Sequence, residues 1–360
     1  MPVSGKKPGA GEILSAIGLW VLGFLLTAGI MHTAIRDPLH LHADVRSEKL
    51  VMLKEWQGKV FSAAFGSSHV HNGFDPRVFD RTLSGTPLAT RSVNLAIEGG
   101  SQSEQRVMAI QFLNHLKSPR QAGAPSQPCL VLLELEAGAN FTVPHLVHPR
   151  AINIYDWPTA RLVTHFVTPG MSASQRYGRI GYALAAMALH YTNIGMLSNL
   201  IFTPPLSQEI LTGQTQEDRR GELEEPSDAA GMLRISHEIA AHPKQTELRA
   251  GVLTPGHLEL IDELAAASAV PGATFVYFVM PKISDIGVAS DYPDHLVAAG
   301  RQVPILNLAR PDRFPQLYNA ALWHDEAHLT AHGAEVATAL LAQELGRWYA
   351  AHGDPPPCGG

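Results

Sequence analysis

An α/β domain on a mostly parallel sheet, hung from a single membrane-spanning helix, is the fold class this sequence predicts. Three observations point to it. Residues 13–31, ILSAIGLWVLGFLLTAGIM, hold no charged side chain. Five short apolar runs, at 59–66, 92–97, 129–136, 274–281 and 303–309, are separated by segments with helical periodicity, the pattern of strands joined by crossover helices. The third run, CLVLLELE, is apolar almost without interruption, as a strand buried on both faces of a parallel sheet must be.

The apolar stretch comes first. Its 19 residues at the helical rise span roughly 28 Å, close to the hydrocarbon thickness of a bilayer. Lys6 and Lys7 precede it, whereas the charges just beyond it, Arg36, Asp37, Asp44, Arg46, Glu48 and Lys49, cancel. The positive end stays cytoplasmic, so residues 1–12 are expected in the cytoplasm, 13–31 in the inner membrane, and the rest on the periplasmic or extracellular side. A cleaved signal peptide and a buried helix of a soluble protein are the alternatives; against the first, no small-x-small site closely follows the apolar run.

Residues 36–57 read as a connector ending in a short helix, and 58–350 as the folded domain. KVFSAAFG, 59–66, reads as a buried strand closed by a glycine turn. SVNLAI, 92–97, is a second strand stopped by Gly99 and Gly100. The following segment fits a helix, with Val107, Ile110 and Leu113 on one face and Ser101 or Ser103 as cap. After the third strand the pattern weakens, and 137–252 reads as an insertion. Within it, Ile180 to Gln208 lacks charge and suits a buried or membrane-facing helix; Asn193, Ser198 and Asn199 argue against a second span. Order returns at Thr254-Pro255, a helix start with proline in the first turn. TFVYFVMP and VPILNLA supply the last strands, and a final helix runs from about Ala331 to Tyr349. Residues 351–360, rich in Pro and Gly, are expected to form a flexible tail.

Composition excludes several function classes. Apolar residues make up 45% and charged residues 17%, with a net charge of −6 and no basic tract, so a nucleic-acid partner is not expected. Cys129 reads as a packed thiol and Cys358 as a tail residue, so no disulfide is expected. Histidines number 18. His69 and His71 alternate, and His324, His328 and His332 would share a helical face, but no H-E-x-x-H pattern occurs and the last helix begins after His328. No metal or other cofactor is expected.

Two segments carry chemistry. Ser68 directly follows the first strand in FGSSHVHNGFDP, 65–76, and the carboxyl ends of strands are where α/β sheets place their sites. WHDEAHLTAHGAE, 323–335, supplies Asp325 and His328. A serine hydroxyl becomes a nucleophile when a base takes its proton; imidazole does this near neutral pH, and a carboxylate fixes the imidazole tautomer.

FGSSHVHNGFDP resembles the first sequence block of the SGNH/GDSL hydrolase superfamily, most closely its envelope-polysaccharide branch (proteins of alginate O-acetylation and D-alanyl transfer), where G-S-S replaces G-D-S. NLAIEGG, 94–100, resembles the second block and WHDEAHLTAHGAE the last. The motifs together touch about 32 residues, and the resembling fold would cover roughly 58–136 and 254–350. The resemblance implies a three-layer α/β/α sandwich with Ser68 as nucleophile, His328 as general base and Asp325 orienting it. It implies an oxyanion hole from the N–H groups of Ser68 and of Gly99 or Gly100. The family's Asn-bearing third block is absent as written; Asn140, just past the third strand, is the nearest candidate. Asn94 reads as structural.

His71, His148, Arg150 and Trp157 are candidate substrate-binding residues. The last three lie in HPRAINIYDWP, 148–158, whose mix of charge and aromatics suits a sugar as well as an ordinary loop. The expected function is a membrane-anchored serine esterase or O-acyltransferase acting on cell-envelope or exported polysaccharide. A membrane partner protein is a possible source of the acyl donor. The alternative is an inactive glycan-binding or assembly protein of a membrane biosynthetic complex.

Overall fold

The structure is a computed structural model that describes residues 9–34, 45–117, 127–135, 154–165, 172–192, 229–241, 246–268, 270–353, 355–356 and 358. It is a mixed α/β fold with a central sheet, preceded by one N-terminal helix, α1 (Ala10–Ala34). Residues 10–30 of α1 have a mean hydropathy of 2.2 and are almost wholly exposed, which makes it long and apolar enough to cross a membrane.

The central sheet has six strands: β1 (Ser62–Phe65), β2 (Ser92–Asn94), β3 (Cys129–Glu134), β5 (Ala273–Val279), β7 (His295–Ala298) and β8 (Arg301–Asn307). Their order is β2-β1-β3-β5-β8-β7. All neighbours pair in parallel except β7 with β8. The antiparallel hairpin at the edge turns through Ala299 and Gly300, both at positive φ. Two further strands, β4 (Glu247–Ala250) and β6 (Val288–Asp291), pair in parallel as a separate small sheet.

Alternate side chains of each central strand enter two cores. Phe65, Val131, Leu133 and Tyr277 face one; Ala64, Leu130, Leu132 and Phe278 face the other. The first core is closed by α2 (Val45–Glu55), α5 (Gln102–Leu116), α6 (Trp157–His165), α7 (Ala173–Thr192) and α9 (Pro255–Ala267). The second is closed by α3 (Ser68–Gly73), α4 (Pro76–Leu83), α8 (Ala229–Ala241) and α10 (Ala331–His352). This burial on both sides is why β3 has no polar alternation.

Local chemistry sets the helix ends. Ser101 caps α5 in a capping box with Glu104, satisfying N–H groups the helix itself cannot. Asp75 caps α4 ahead of Pro76, and Thr330 caps α10. The connector helix α2 is docked: Leu50, Met52, Leu53 and Trp56 are buried, and Lys49 Nζ donates to the Asn94 carbonyl at 3.1 Å. Buried Arg106 on α5 binds Glu263 on α9, together with Asp156 (3.2 Å) just before α6 and Thr159 (2.9 Å) in its first turn. That network pins three elements of one layer together.

The cysteines depart from expectation. Cys129 and Cys358 form a disulfide, with Cα atoms 5.2 Å apart. The cause is tertiary: α10 returns the chain across the sheet to the start of β3, where the Cys358 N–H donates to the Gln127 carbonyl at 3.0 Å. The segment expected to be a flexible tail therefore holds two buried residues, Pro355 and Cys358. Of the charge-free stretch 180–208, α7 covers the part to Thr192 and contacts α1; the remainder lies outside the described residues.

Candidate active site

Two segments build the site, the turn after β1 and the loop before α10. In this sheet the strand order reverses between β1 and β3, and the space beyond the carboxyl ends at such a switch point is where α/β folds place ligands. The chain leaves β1 through Gly66 and Ser67 and enters α3 at Ser68. A Cβ on Gly66 would lie 2.3 Å from Val70 Cγ2 and 2.7 Å from Glu134 Oε2, so only glycine permits the tight turn that presents Ser68. Ser67 caps α3 through its side chain.

The second part comes from the loop between a short 3-10 helix (Ala320–Leu322) and α10. Buried Trp323 donates from Nε1 to the Leu317 carbonyl at 2.8 Å. The His324 N–H donates to the His328 carbonyl at 2.9 Å, and the Thr330 N–H to the Leu322 carbonyl at 2.9 Å. The loop is therefore closed on itself. Gly333, in the first turn of α10, packs so tightly on it that a Cβ would sit 2.1 Å from the Leu322 oxygen.

These two segments, 260 residues apart in sequence, meet. Ser68 Oγ–H donates to His328 Nε2 over 2.8 Å, and His328 Nδ1–H donates to Asp325 Oδ2 over 2.8 Å. A carboxylate only accepts, which assigns the proton to Nδ1 and leaves Nε2 free to take one. Asp325 Oδ1 accepts the Ala327 and His328 N–H groups, each at 2.8 Å. Partial burial pushes the Asp325 carboxyl up, but bonds from the His328 ring and these two amides outweigh it and hold it below its ordinary value. Ser68, Asp325 and His328 are all partly accessible. The arrangement can deprotonate a serine hydroxyl and hold the resulting imidazolium.

The other expected residues fare unevenly. The Gly100 N–H donates to the Ile97 carbonyl at 2.7 Å, closing a turn with Gly99 at φ +59. Gly100 is thus no oxyanion donor; it is glycine because a Cβ would meet the Ile97 and Gly66 oxygens at 2.6 and 2.8 Å. The Ser68 and Gly99 N–H groups have no hydrogen-bond partner among the described residues, which leaves both as candidate donors. His71 is buried with Nδ1 3.4 Å from the Ala96 carbonyl, so it faces the segment after β2, not an open substrate site. Trp157 opens α6, exposed, its N–H bound to the Tyr191 hydroxyl at 3.1 Å. Asn140, His148 and Arg150 lie outside the described residues. Asn94 is structural: buried, its amide donates to the Val70, His71 and Phe74 carbonyls at 2.9–3.1 Å.

Sequence reasoning missed Glu134. It ends β3, is buried, and accepts the Ser67 N–H at 2.6 Å. The available signal was a carboxylate closing an otherwise apolar strand. His69 was noticed only for its spacing from His71; its ring stacks on His328 with centroids 5.5 Å apart. Among the described residues no cluster of His, Cys, Asp and Glu is placed to hold a metal ion. A cavity of about 520 Å³ lies at the opposite end of the sheet, near the starts of β5 and β8 and beside Trp348 and Tyr349. It is remote from Ser68 and plays no part in this geometry.

No protein-family model, no curated protein and no solved structure matches the chain.

Proposed function

We propose that this chain is a membrane-anchored serine acyl-transfer enzyme, an esterase or O-acyltransferase working through an acyl-serine. The observation that carries the reading is the pair of 2.8 Å hydrogen bonds joining Ser68, His328 and Asp325. In the reaction His328 Nε2 takes the Ser68 proton as Oγ bonds to the acyl carbon. The tetrahedral oxyanion would be met by the Ser68 and Gly99 N–H groups. The proton on Nε2 passes to the leaving group as its bond breaks. An acceptor hydroxyl then repeats the sequence in reverse: Nε2 takes its proton, its oxygen bonds to the acyl carbon, and the bond from that carbon to Ser68 Oγ breaks as Oγ recovers the proton from Nε2. Water as acceptor gives hydrolysis; a sugar hydroxyl gives O-acyl transfer.

The sandwich of the SGNH type is the fold that best accommodates the site, since Ser68 follows β1 and Asp325 and His328 precede the last helix, in the order the resemblance requires. The same resemblance supports cell-envelope or exported polysaccharide as substrate, acetyl as the simplest acyl group, and a membrane partner protein as source of the donor. Two independent features support an exported domain on an inner-membrane anchor. Lys6 and Lys7 precede α1, and the Cys129–Cys358 disulfide belongs to an oxidising compartment. The missing third block favours a second reading, an inactive assembly protein that retains the fold.

One experiment separates these readings. The full chain in detergent is treated with a fluorophosphonate or a p-nitrophenyl ester, and the modified residue is mapped by mass spectrometry. We expect modification at Ser68, absent in S68A and slowed by about a thousandfold or more in H328A. A folded wild-type chain that stays unmodified would rule out the enzyme and leave the assembly role.

A further inference from the structure

We infer that Glu134 is a positioning residue that sets the nucleophile and the base from one buried carboxylate. The inference rests on the acyl-serine reading of Ser68. Glu134 occupies the last position of β3, between β1 and β5 in the sheet. Pairing with Phe278 of β5 and a bond from Gln102 Nε2 to its carbonyl at 3.0 Å fix its backbone, and its residue is 2% exposed. A carboxylate is rarely so buried without partners that need it.

Its two oxygens serve different partners. Oε2 accepts the Ser67 N–H at 2.6 Å. Ser67 immediately precedes Ser68, so this bond fixes the turn from which Oγ is presented. Oε1 lies 3.5 Å from His69 Nδ1. That nitrogen is also 3.0 Å from Ser67 Oγ, so the His69 ring is held from two sides. The far consequence is at the base: the His69 ring lies against His328 with an interplanar angle of 23°. Nucleophile and base stand on segments 260 residues apart, yet both are referenced to Glu134, one through a backbone N–H and one through a stacked imidazole.

The negative charge has a second effect. His328 becomes an imidazolium as Ser68 attacks. A fixed carboxylate behind the stacked His69 ring favours that cation without touching the substrate. Removing charge and removing the hydrogen bond are therefore separable. Glu134→Gln keeps the shape and an oxygen for the Ser67 N–H but loses the charge. Glu134→Leu loses both.

The test uses the full chain in detergent with a fluorophosphonate. Maximal inactivation rate and probe affinity are measured separately, alongside melting temperature and hydrogen exchange of the peptide holding residues 62–70. E134Q should lower the maximal rate about tenfold at unchanged affinity and melting temperature, and E134L about a hundredfold, the range set by one charge-assisted hydrogen bond. E134L should also speed exchange at the Ser67 turn by at least about tenfold. If E134L fails to fold, E134Q alone still decides through its rate at unchanged affinity. Equal rates and equal exchange in all forms would overturn the positioning role while leaving the acyl-serine reading intact. Faster exchange in E134L with no labelling of the wild type would instead retain the turn contact and remove the enzyme reading.

Discussion

Replacing both Cys129 and Cys358 with alanine opens the longest covalent loop in the chain. The two residues are separated by 229 positions. Loop-closure entropy for a cross-link of that length amounts to about 5 kcal/mol, and measured disulfides typically contribute about 2–4 kcal/mol. The lower range is the better expectation here. Cys358 lies outside the sheet, so the segment that carries it can come away without opening the strand pairs. For a domain of this size each kcal/mol corresponds to roughly 2–4 °C, so the double variant should melt roughly 4–16 °C lower. The assay is thermal unfolding of the full chain in detergent, without reductant, next to wild type with and without dithiothreitol. Free thiols are counted on protein freshly isolated without reductant. Reductant should lower the wild-type midpoint to that of the variant and leave the variant unchanged. Two titratable thiols in freshly isolated wild type, or a midpoint indifferent to both changes, would refute the pairing and remove one of the two supports for an exported domain.

Two further outcomes follow from local geometry. Gly333→Ala pushes a methyl group to 2.1 Å from the Leu322 oxygen; the overpacking should cost about 1–3 kcal/mol in melting experiments, and by displacing the loop that holds Asp325 and His328 it should slow fluorophosphonate labelling of Ser68. Asp285, near Tyr318 and Tyr292, is pushed up to about 7, chiefly by burial and only partly offset by the Lys282 N–H, the Lys282 charge and the Tyr318 hydroxyl. A carboxyl with a raised folded-state pKa is fully tolerated below its unfolded value. It costs stability progressively as pH rises from there to the folded value, here from about 4 to about 7, by at most about 4 kcal/mol. Asp285→Asn should therefore gain stability over wild type as pH is raised through that window and hold the gain above it. An equal difference at pH 4 and pH 8 would contradict the assignment.

Much of the architecture was legible because it rests on local rules. The apolar run of α1, the five central parallel strands and the caps at Ser101 and Thr254-Pro255 each follow from periodicity or from a residue's own backbone chemistry. The edge strand β7 was missed, since HLVA is too short and too exposed to stand out from a loop. The connector helix α2 was foreseen, but its docking through Lys49 onto the Asn94 carbonyl depends on what folds beneath it.

The site divides the same way. Ser68, Asp325 and His328 were chosen through the resemblance of their motifs to the SGNH/GDSL blocks, and the placement of Ser68 at a strand end agreed with it. Position in space was not legible. That His71 turns inward, that Cys358 returns to Cys129 and that Glu134 reaches under the Ser67 turn are all contacts between distant segments. The sequence by itself determined a helix long and apolar enough to cross a membrane and the parallel α/β layering, and the resemblance of its motifs singled out the three residues able to form a serine–histidine–aspartate chain. Only the tertiary structure decided which N–H groups stay free, which thiols meet and which carboxylate braces the nucleophile. Hydrogen bonds and disulfides are fixed to within about an ångström, a precision that arises when the strands pair and both faces of the sheet are packed.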